Sequence, residues 1–346
     1  MSNNRALWPF ILATVFFLAI PLSGTYACTD VLVKTDNHQV VSGRNMDFRD
    51  VFNSKIIIIP VGKSFQSEAD AGLPGASWVS RYGYVGITGG TSYISDGMNE
   101  KGLSIAKQTL ASTHYPGPSA EKPNLKIRML CDWVLGNFTS IDEVEKALPT
   151  INVVGTGKHS PAHFALHDAE GNSAVIEFIQ EHVEFHINTN GVLTNDPSFD
   201  WQLTNLKYYK WKKSMFDSSV AIPEGYFAAE RFIRATIMRD SLPAASTPQS
   251  AVANALMILD SVAPPYGMPS TYTPPAQAGE ELKYDFTQWT VIRDHVNLVY
   301  YYKSVDNPSL KAIDLKTLDF SGKTEYSPIP VQNGDWFVPA PLILRH

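Results

Sequence analysis

The sequence predicts an α+β fold of antiparallel sheets covered by helices. Three observations predict it. Strand and helix patterns come in blocks (strands, helices, strands, helices, strands) instead of strict alternation. Turns too short for a crossover join successive strands, so neighbours run antiparallel. Ile127, Leu130, Cys131, Val134 and Leu135 recur at helical spacing and give a helix an apolar face to lay on a sheet.

The elements follow in order. TDVLVKTD and QVVSGRN flank the turn Asp36-Asn37-His38 and read as a hairpin. KIIIIPV (55–61) is a continuous apolar run, suited to a strand buried on both faces. YGYVGIT and SYISDGM follow, and Asn99-Glu100-Lys101-Gly102 turns into LSIAKQTL. Helices are expected near 125–137 and 141–148; Ser140 caps the second and Glu143 completes a capping box. HFALHDA, SAVIEFI and HVEFHINT form a three-strand meander. Helices recur around 227–240 and 248–262, and QWTVIRD with NLVYYYKS makes the last hairpin. The Pro- and Gly-rich loops 113–124 and 263–280 are expected at a rim or as lids.

Residues 1–27 have the layout of a cleaved signal peptide. Arg5 precedes an apolar stretch from Leu7 to Leu22, Pro21, Ser23 and Gly24 break it, and the small residues Thr25 and Ala27 precede Cys28. That stretch is short for a membrane span, which takes ~20 residues. Residues 28–346 are then one domain, periplasmic or extracellular in a bacterium, with no stable membrane anchor after cleavage. An acylated lipoprotein cysteine is the competing reading; the bulky Tyr26 fits it poorly. The net charge of −6 argues against a nucleic-acid partner.

Cleavage would make Cys28 the first residue, with nucleophile and base on one amino acid. A free thiol has a pKa of ~8.5 and an α-amino group one of ~7.7–8.0, so the amine accepts the thiol proton near neutrality without a histidine. Such a site needs a carboxylate to hold the amine, a cation to favour the thiolate and donors for the tetrahedral oxyanion. SGRNMDF offers Arg44 and Asp47 on the strand that the first hairpin folds back towards Cys28. Of the two cysteines, Cys131 reads as a small core thiol on a buried helix face, leaving Cys28 unpaired.

At these residues the chain resembles the choloylglycine hydrolase family of N-terminal-nucleophile hydrolases, which contains penicillin V acylases and conjugated bile salt hydrolases. The resemblance starts at CTDVLVKTDNHQVVSGRNMDF. It continues through ISDGMNEKGLSIAK, MLCDWVLGNFTSIDEVEKAL, GVLTNDPSFDWQL, ERFIRA and TQWTVIRDHVNLVYYYKSVDN. It implies a four-layer αββα sandwich, no cofactor, and cleavage of a linear amide C–N bond in an N-acyl small molecule. It also implies a homo-oligomer, commonly a homotetramer. It gives Cys28 as nucleophile and base, Arg44 beside the thiol and Asp47 holding the amine. Asn195 would donate its side-chain amide to the oxyanion, and Arg231 would complete the charged network, with Arg234 the competing candidate. Thr109 stands where bile salt hydrolases tend to have asparagine and penicillin acylases often tyrosine; its backbone N–H remains suited to the oxyanion.

The resemblance favours a penicillin V acylase-like activity, with acyl-homoserine lactones as natural substrates. Bile salt deconjugation is the runner-up, and an inactive envelope binding protein is the reading from another class. Tyr82, Tyr84, Tyr93, Phe48, Phe199 and Trp201 are candidates to line the acyl pocket. The nine histidines show no metal spacing; His182 and His186, four apart on a strand, would lie about 13 Å apart at ~3.3 Å per residue. No metal site is expected.

Overall fold

A computed structural model describes residues 28–35, 39–70, 72–156, 161–216, 222–268 and 285–339. The leader 1–27, the turn 36–38 and residues 269–280 of the second Pro-rich loop lie outside them. Among the described residues no helix is long and apolar enough to cross a membrane.

Two antiparallel sheets form the centre. The first places β14 (Val192–Thr194), β1 (Thr29–Lys34), β2 (Val40–Phe48), β15 (Phe286–Asp294), β16 (Val299–Ser304) and β17 (Lys311–Asp314) side by side. The second orders β13 (His182–Ile187), β12 (Ser173–Ile179), β11 (His163–His167), β8 (Ser104–Gln108), β7 (Ile94–Asn99), β6 (Tyr84–Thr88), β3 (Lys55–Ile59) and β18 (Ile329–Pro330). β4 (Ser64–Gln66) pairs with β5 (Ser77–Val79), and β9 (Asn124–Lys126) runs parallel to β10 (Asn152–Val154).

Helices cover both outer faces. Leu130, Val134 and Leu135 of α1 (Leu130–Asn137) and Ile141 and Val144 of α2 (Ile141–Ala147) pack on Leu103 and Ile105 of the eight-stranded sheet. α4 (Ala228–Ser241) and α5 (Pro248–Val262) lie on the six-stranded sheet, where Phe232, Ile258 and Leu259 meet Val31, Val41 and Ile292, and α3 (Phe199–Phe216) packs on α4. A third apolar cluster, including Met46, Ile87, Met98 and Trp289, fills the space between the sheets. The layers are therefore helix, sheet, sheet, helix, an αββα sandwich of class α+β.

The predicted elements stand with four corrections. Ser140 caps α2, but the Glu143 carboxylate accepts from the Thr139 N–H and hydroxyl instead of the Ser140 N–H, so the expected capping box is not closed. The run 55–61 is a half-buried strand, because its neighbour β18 is only two residues long and leaves much of that side open. The helix expected over 125–137 starts only at Leu130; Asn124–Lys126 pairs as β9 and Ile127–Met129 is a single 3₁₀ turn. α3 was not predicted. Its outer face carries Trp201, Tyr208, Trp211 and Met215, all more than half exposed, so apolar residues on both sides blur the helical period.

Candidate active site

Strand alternation sorts the side chains of β1 and β2 between two spaces. Cys28, just before β1, and Arg44 and Met46 on β2 face the other sheet. Asp47, of opposite parity, faces the helical layer at the same end. The register closes the site: Thr29 pairs with Asn45 on one side and with Thr194 on the other. Asn195, one residue beyond β14, therefore lies beside Cys28.

The contacts agree with that placement. Arg44 Nη2 is 3.6 Å from Cys28 Sγ and 3.1 Å from Met46 Sδ, and its Nη1 donates to the Ser95 carbonyl at 3.0 Å. The Cys28 nitrogen, a peptide N–H while residue 27 is attached, donates to Asn195 Oδ1. Arg231 comes in from α4. Its Nη1 donates to the Cys28 carbonyl at 2.6 Å and to Thr29 Oγ1, and its Nη2 lies 3.3 Å from Asn195 Oδ1. Asn195 Nδ2 donates to the Thr109 carbonyl at 2.9 Å, tying the two sheets together across the site. Arg234 turns elsewhere, to the carbonyls of Glu224 and Gly225, so Arg231 is the arginine at the cysteine.

Burial dominates the electrostatics. It raises the Cys28 thiol, and Arg44 pulls the other way. Asp47 is pushed up to about 7 by burial, against the opposing pull of Arg231 and of the 2.6 Å hydrogen bond from Thr287 Oγ1 to its Oδ1. Its Oδ2 has no hydrogen-bond partner among the described residues. Behind the site, Arg293 sits between Asp30 at 2.5 Å and Asp96 at 3.6 Å, while Arg44 is 3.7 Å from Asp96. His167 binds Asp30 at 2.5 Å and Tyr300 donates to Asp96 at 2.9 Å.

Cys28 opens onto a cavity of about 400 Å³. Met46, Phe48, Phe52, Tyr93 and Ile94 supply its apolar wall, and Arg44, Asp47, Lys107 and Arg128 its charges. Gly90 has φ +72°, and a Cβ there would come within 2.6 Å of the Phe52 ring, so glycine keeps that wall open. Of the pocket residues expected from sequence, Phe48 and Tyr93 line this space, whereas Tyr84 is buried with its hydroxyl donating to Asp132 at 2.8 Å. Phe199 is buried under the helical layer, with its N–H bound to Glu177. Trp201 is 63% exposed on α3. Tyr82 lies under Arg81 and Lys101, away from the cavity lining. Lys107 and Arg128 were missed. Each is a lone cation, on a strand and in a turn, with no spacing signal.

Cys131 is buried and unpaired on α1, as read. His182 is exposed, but His186 is bound to Glu184 at 3.2 Å. Glu177, Glu184 and His186 bring ligand-type atoms within 4.8 Å of one another. Glu177 is already taken up, accepting from His163 Nδ1 at 2.8 Å and from the Phe199 N–H. The group was invisible in sequence because it forms across the pairing of β12 with β13.

Comparison with known proteins decides the family. Residues 28–327 match the model of linear amide C–N hydrolases, choloylglycine hydrolase family. The chain belongs to the choloylglycine hydrolase family. Its relatives include a penicillin V acylase of Pectobacterium atrosepticum, 29% identical over 93% of this chain and 90% of that protein. A bile salt hydrolase/transferase of Clostridium perfringens is 30% identical over 85% of this chain and 94% of that protein. The solved penicillin V acylase of Agrobacterium tumefaciens superposes with a TM-score of 0.75 at 30% identity, covering 86% of this chain and 89% of that one. The protein is thus a linear-amide C–N hydrolase of penicillin V acylase and bile salt hydrolase type, acting on a small-molecule amide.

Proposed function

We propose that this choloylglycine hydrolase family member is exported, loses residues 1–27 and uses Cys28 as an N-terminal nucleophile against an N-acyl amide. One observation carries the reading. Cys28 holds its sulfur beside Arg44 and its nitrogen beside Asn195, at the edge of an apolar-walled cavity. Two solved variants of the Clostridium perfringens hydrolase alter a cysteine and an arginine sixteen positions apart, the separation of Cys28 and Arg44.

Cleavage turns the Cys28 peptide nitrogen into an amine. The amine takes the thiol proton, and the thiolate attacks the amide carbon. Asn195 Nδ2 spends one hydrogen on the Thr109 carbonyl and keeps the second for the oxyanion, together with the Thr109 N–H. Collapse of the tetrahedral intermediate breaks the C–N bond, the amine returns its proton to the leaving nitrogen, and a thioester remains. Water then attacks the thioester, giving the acid and the free thiol. Asp47, buried with one oxygen unpartnered, neutralises the α-ammonium form, and Arg231 fixes the Cys28 carbonyl and Asn195.

The substrate reading is penicillin V acylase-like, with acyl-homoserine lactones as natural substrates and bile salt deconjugation as the runner-up. The location is periplasmic or extracellular and the assembly a homotetramer. Mass spectrometry of the mature amino terminus tests the scheme, with a panel of penicillin V, glycocholate, taurocholate and long-chain acyl-homoserine lactones. A free terminal Cys28 and hydrolysis of a panel member are expected. A lipidated Cys28, or a mature chain starting elsewhere, would sink it.

A further inference from the structure

The cavity holds two cations that the scheme above does not use, Lys107 and Arg128. Lys107 stands next to last in β8 and lines the same space as Cys28. Leu103 and Ile105, on the same face of the strand, pack into the apolar core beneath α1, so Lys107 ends a greasy row. The other two cations of the cavity are occupied. Arg44 donates to the Ser95 carbonyl and lies 3.7 Å from Asp96. Arg128 is 2.7 Å from Glu68 and covers the Tyr93 ring at 4.8 Å. Lys107 makes no hydrogen bond or ion pair among the described residues. Burial lowers its affinity for its proton; Cys131 of α1 pulls the other way, and repulsion from Arg44 adds to the lowering.

An ammonium kept in such a place without a partner is costly, and methionine or leucine would continue the row at lower cost. A lysine whose stem merely covers apolar surface ends in bulk water; this one lines the walled space beside the nucleophile. A substrate anion would supply the missing partner and restore the full charge.

We infer that Lys107 is a specificity-determining residue that binds an acidic group, carboxylate or sulfonate, on the substrate. The preferred substrates are then anionic N-acyl amides. This rests on the amide-hydrolase reading of the same cavity, and it ranks the candidates left open there. Penicillin V carries a carboxylate, glycine and taurine conjugates carry a carboxylate and a sulfonate, and acyl-homoserine lactones carry no charge.

Three synthetic substrates with one acyl group test it: phenoxyacetylglycine, phenoxyacetyltaurine and the uncharged phenoxyacetylglycinamide. The wild-type enzyme is expected to prefer at least one of the acids to the glycinamide by about tenfold or more in kcat/KM, the scale of one charge-assisted contact. The favoured acid tells carboxylate from sulfonate. Lys107→Met is expected to collapse that preference, mainly through KM, and Lys107→Arg to retain most of it. Equal turnover of acids and amide by wild type, or a preference that survives Lys107→Met, overturns the inference. So does cleavage of acyl-homoserine lactones in preference to every acid, and that result leaves the amidase reading intact. Calorimetry with phenoxyacetylglycine on Cys28→Ala, with and without Lys107→Met, reads the contact independently of turnover. At least tenfold weaker binding in the double variant supports it, and equal binding overturns it.

Discussion

Asp30 and Asp47 are both completely buried, on adjacent strands of one sheet, yet they behave in opposite ways. Burial would raise the Asp30 carboxyl, but Arg293 and His167, each at 2.5 Å, outweigh it and hold Asp30 below the usual carboxylate range. Asp47 has Thr287 on one oxygen and no partner on the other, and burial carries it up to about 7. Asp30 belongs to a closed set of charges that joins the two sheets. Asp47 belongs to an open one that ends at Cys28. The contrast teaches that burial alone does not set the state of a carboxylate; the cations and donors on its two oxygens do.

The sharpest break between the two regions comes from activity. Cys28→Ala is expected to abolish hydrolysis while thermal unfolding stays close to wild type; retained turnover would remove the nucleophile assignment. Next comes Asn195→Ala, expected to lower kcat by about 10²–10³ if its free amide hydrogen serves the oxyanion, as measured by steady-state kinetics. In the closed region the effect falls on stability. Arg293→Met leaves Asp30 and Asp96 buried without their shared cation, and a loss of about 3–5 kcal/mol is expected in urea unfolding. A loss under 1 kcal/mol would mean that the network carries little of the sheet-to-sheet join.

Asp47 gives the opposite sign in pH. Its folded value lies above the ordinary 3.8, so the folded chain with residue 27 attached binds more protons than the unfolded one between about 4 and about 7. In a cleavage-blocked chain, stability should therefore fall as pH rises through that window. Asp47→Asn should flatten this part of the curve, and an unaltered slope would show that Asp47 is not the titrating group. The smallest effect separates the thiols. Iodoacetamide should label Cys28 before Cys131, because Cys28 meets the cavity beside Arg44 whereas burial in the α1 core drives Cys131 far up. Equal labelling would contradict the closed packing around Cys131.

Much of this was legible in the chain. The β1–β2 hairpin followed from alternation around a short turn, and its return path placed Arg44 near Cys28 before any coordinates. The resemblance supplied Asn195 and Arg231, and the structure brings both to the cysteine while turning Arg234 away. The aromatic wall was legible only in part. Phe199 and Trp201 sit in a segment that looked pocket-like by composition but forms α3, one ring buried and the other outward. Phe48 and Tyr93 do reach the lining, but Phe52 and Lys107 join them from separate stretches of chain. Neither periodicity nor spacing reports which loops and strand ends converge, since that is set by the stacking of two sheets.

The β1 strand is hydrogen-bonded along both flanks from its first residue, Thr29. A strand gripped in this way has no slack to slide. Under the proposed maturation, cleavage must therefore fall at one peptide bond: a cut one residue late discards the sulfur, and a cut one residue early leaves Cys28 without a free amine. On that proposal the sheet fixes the position at which the new amino terminus has to lie.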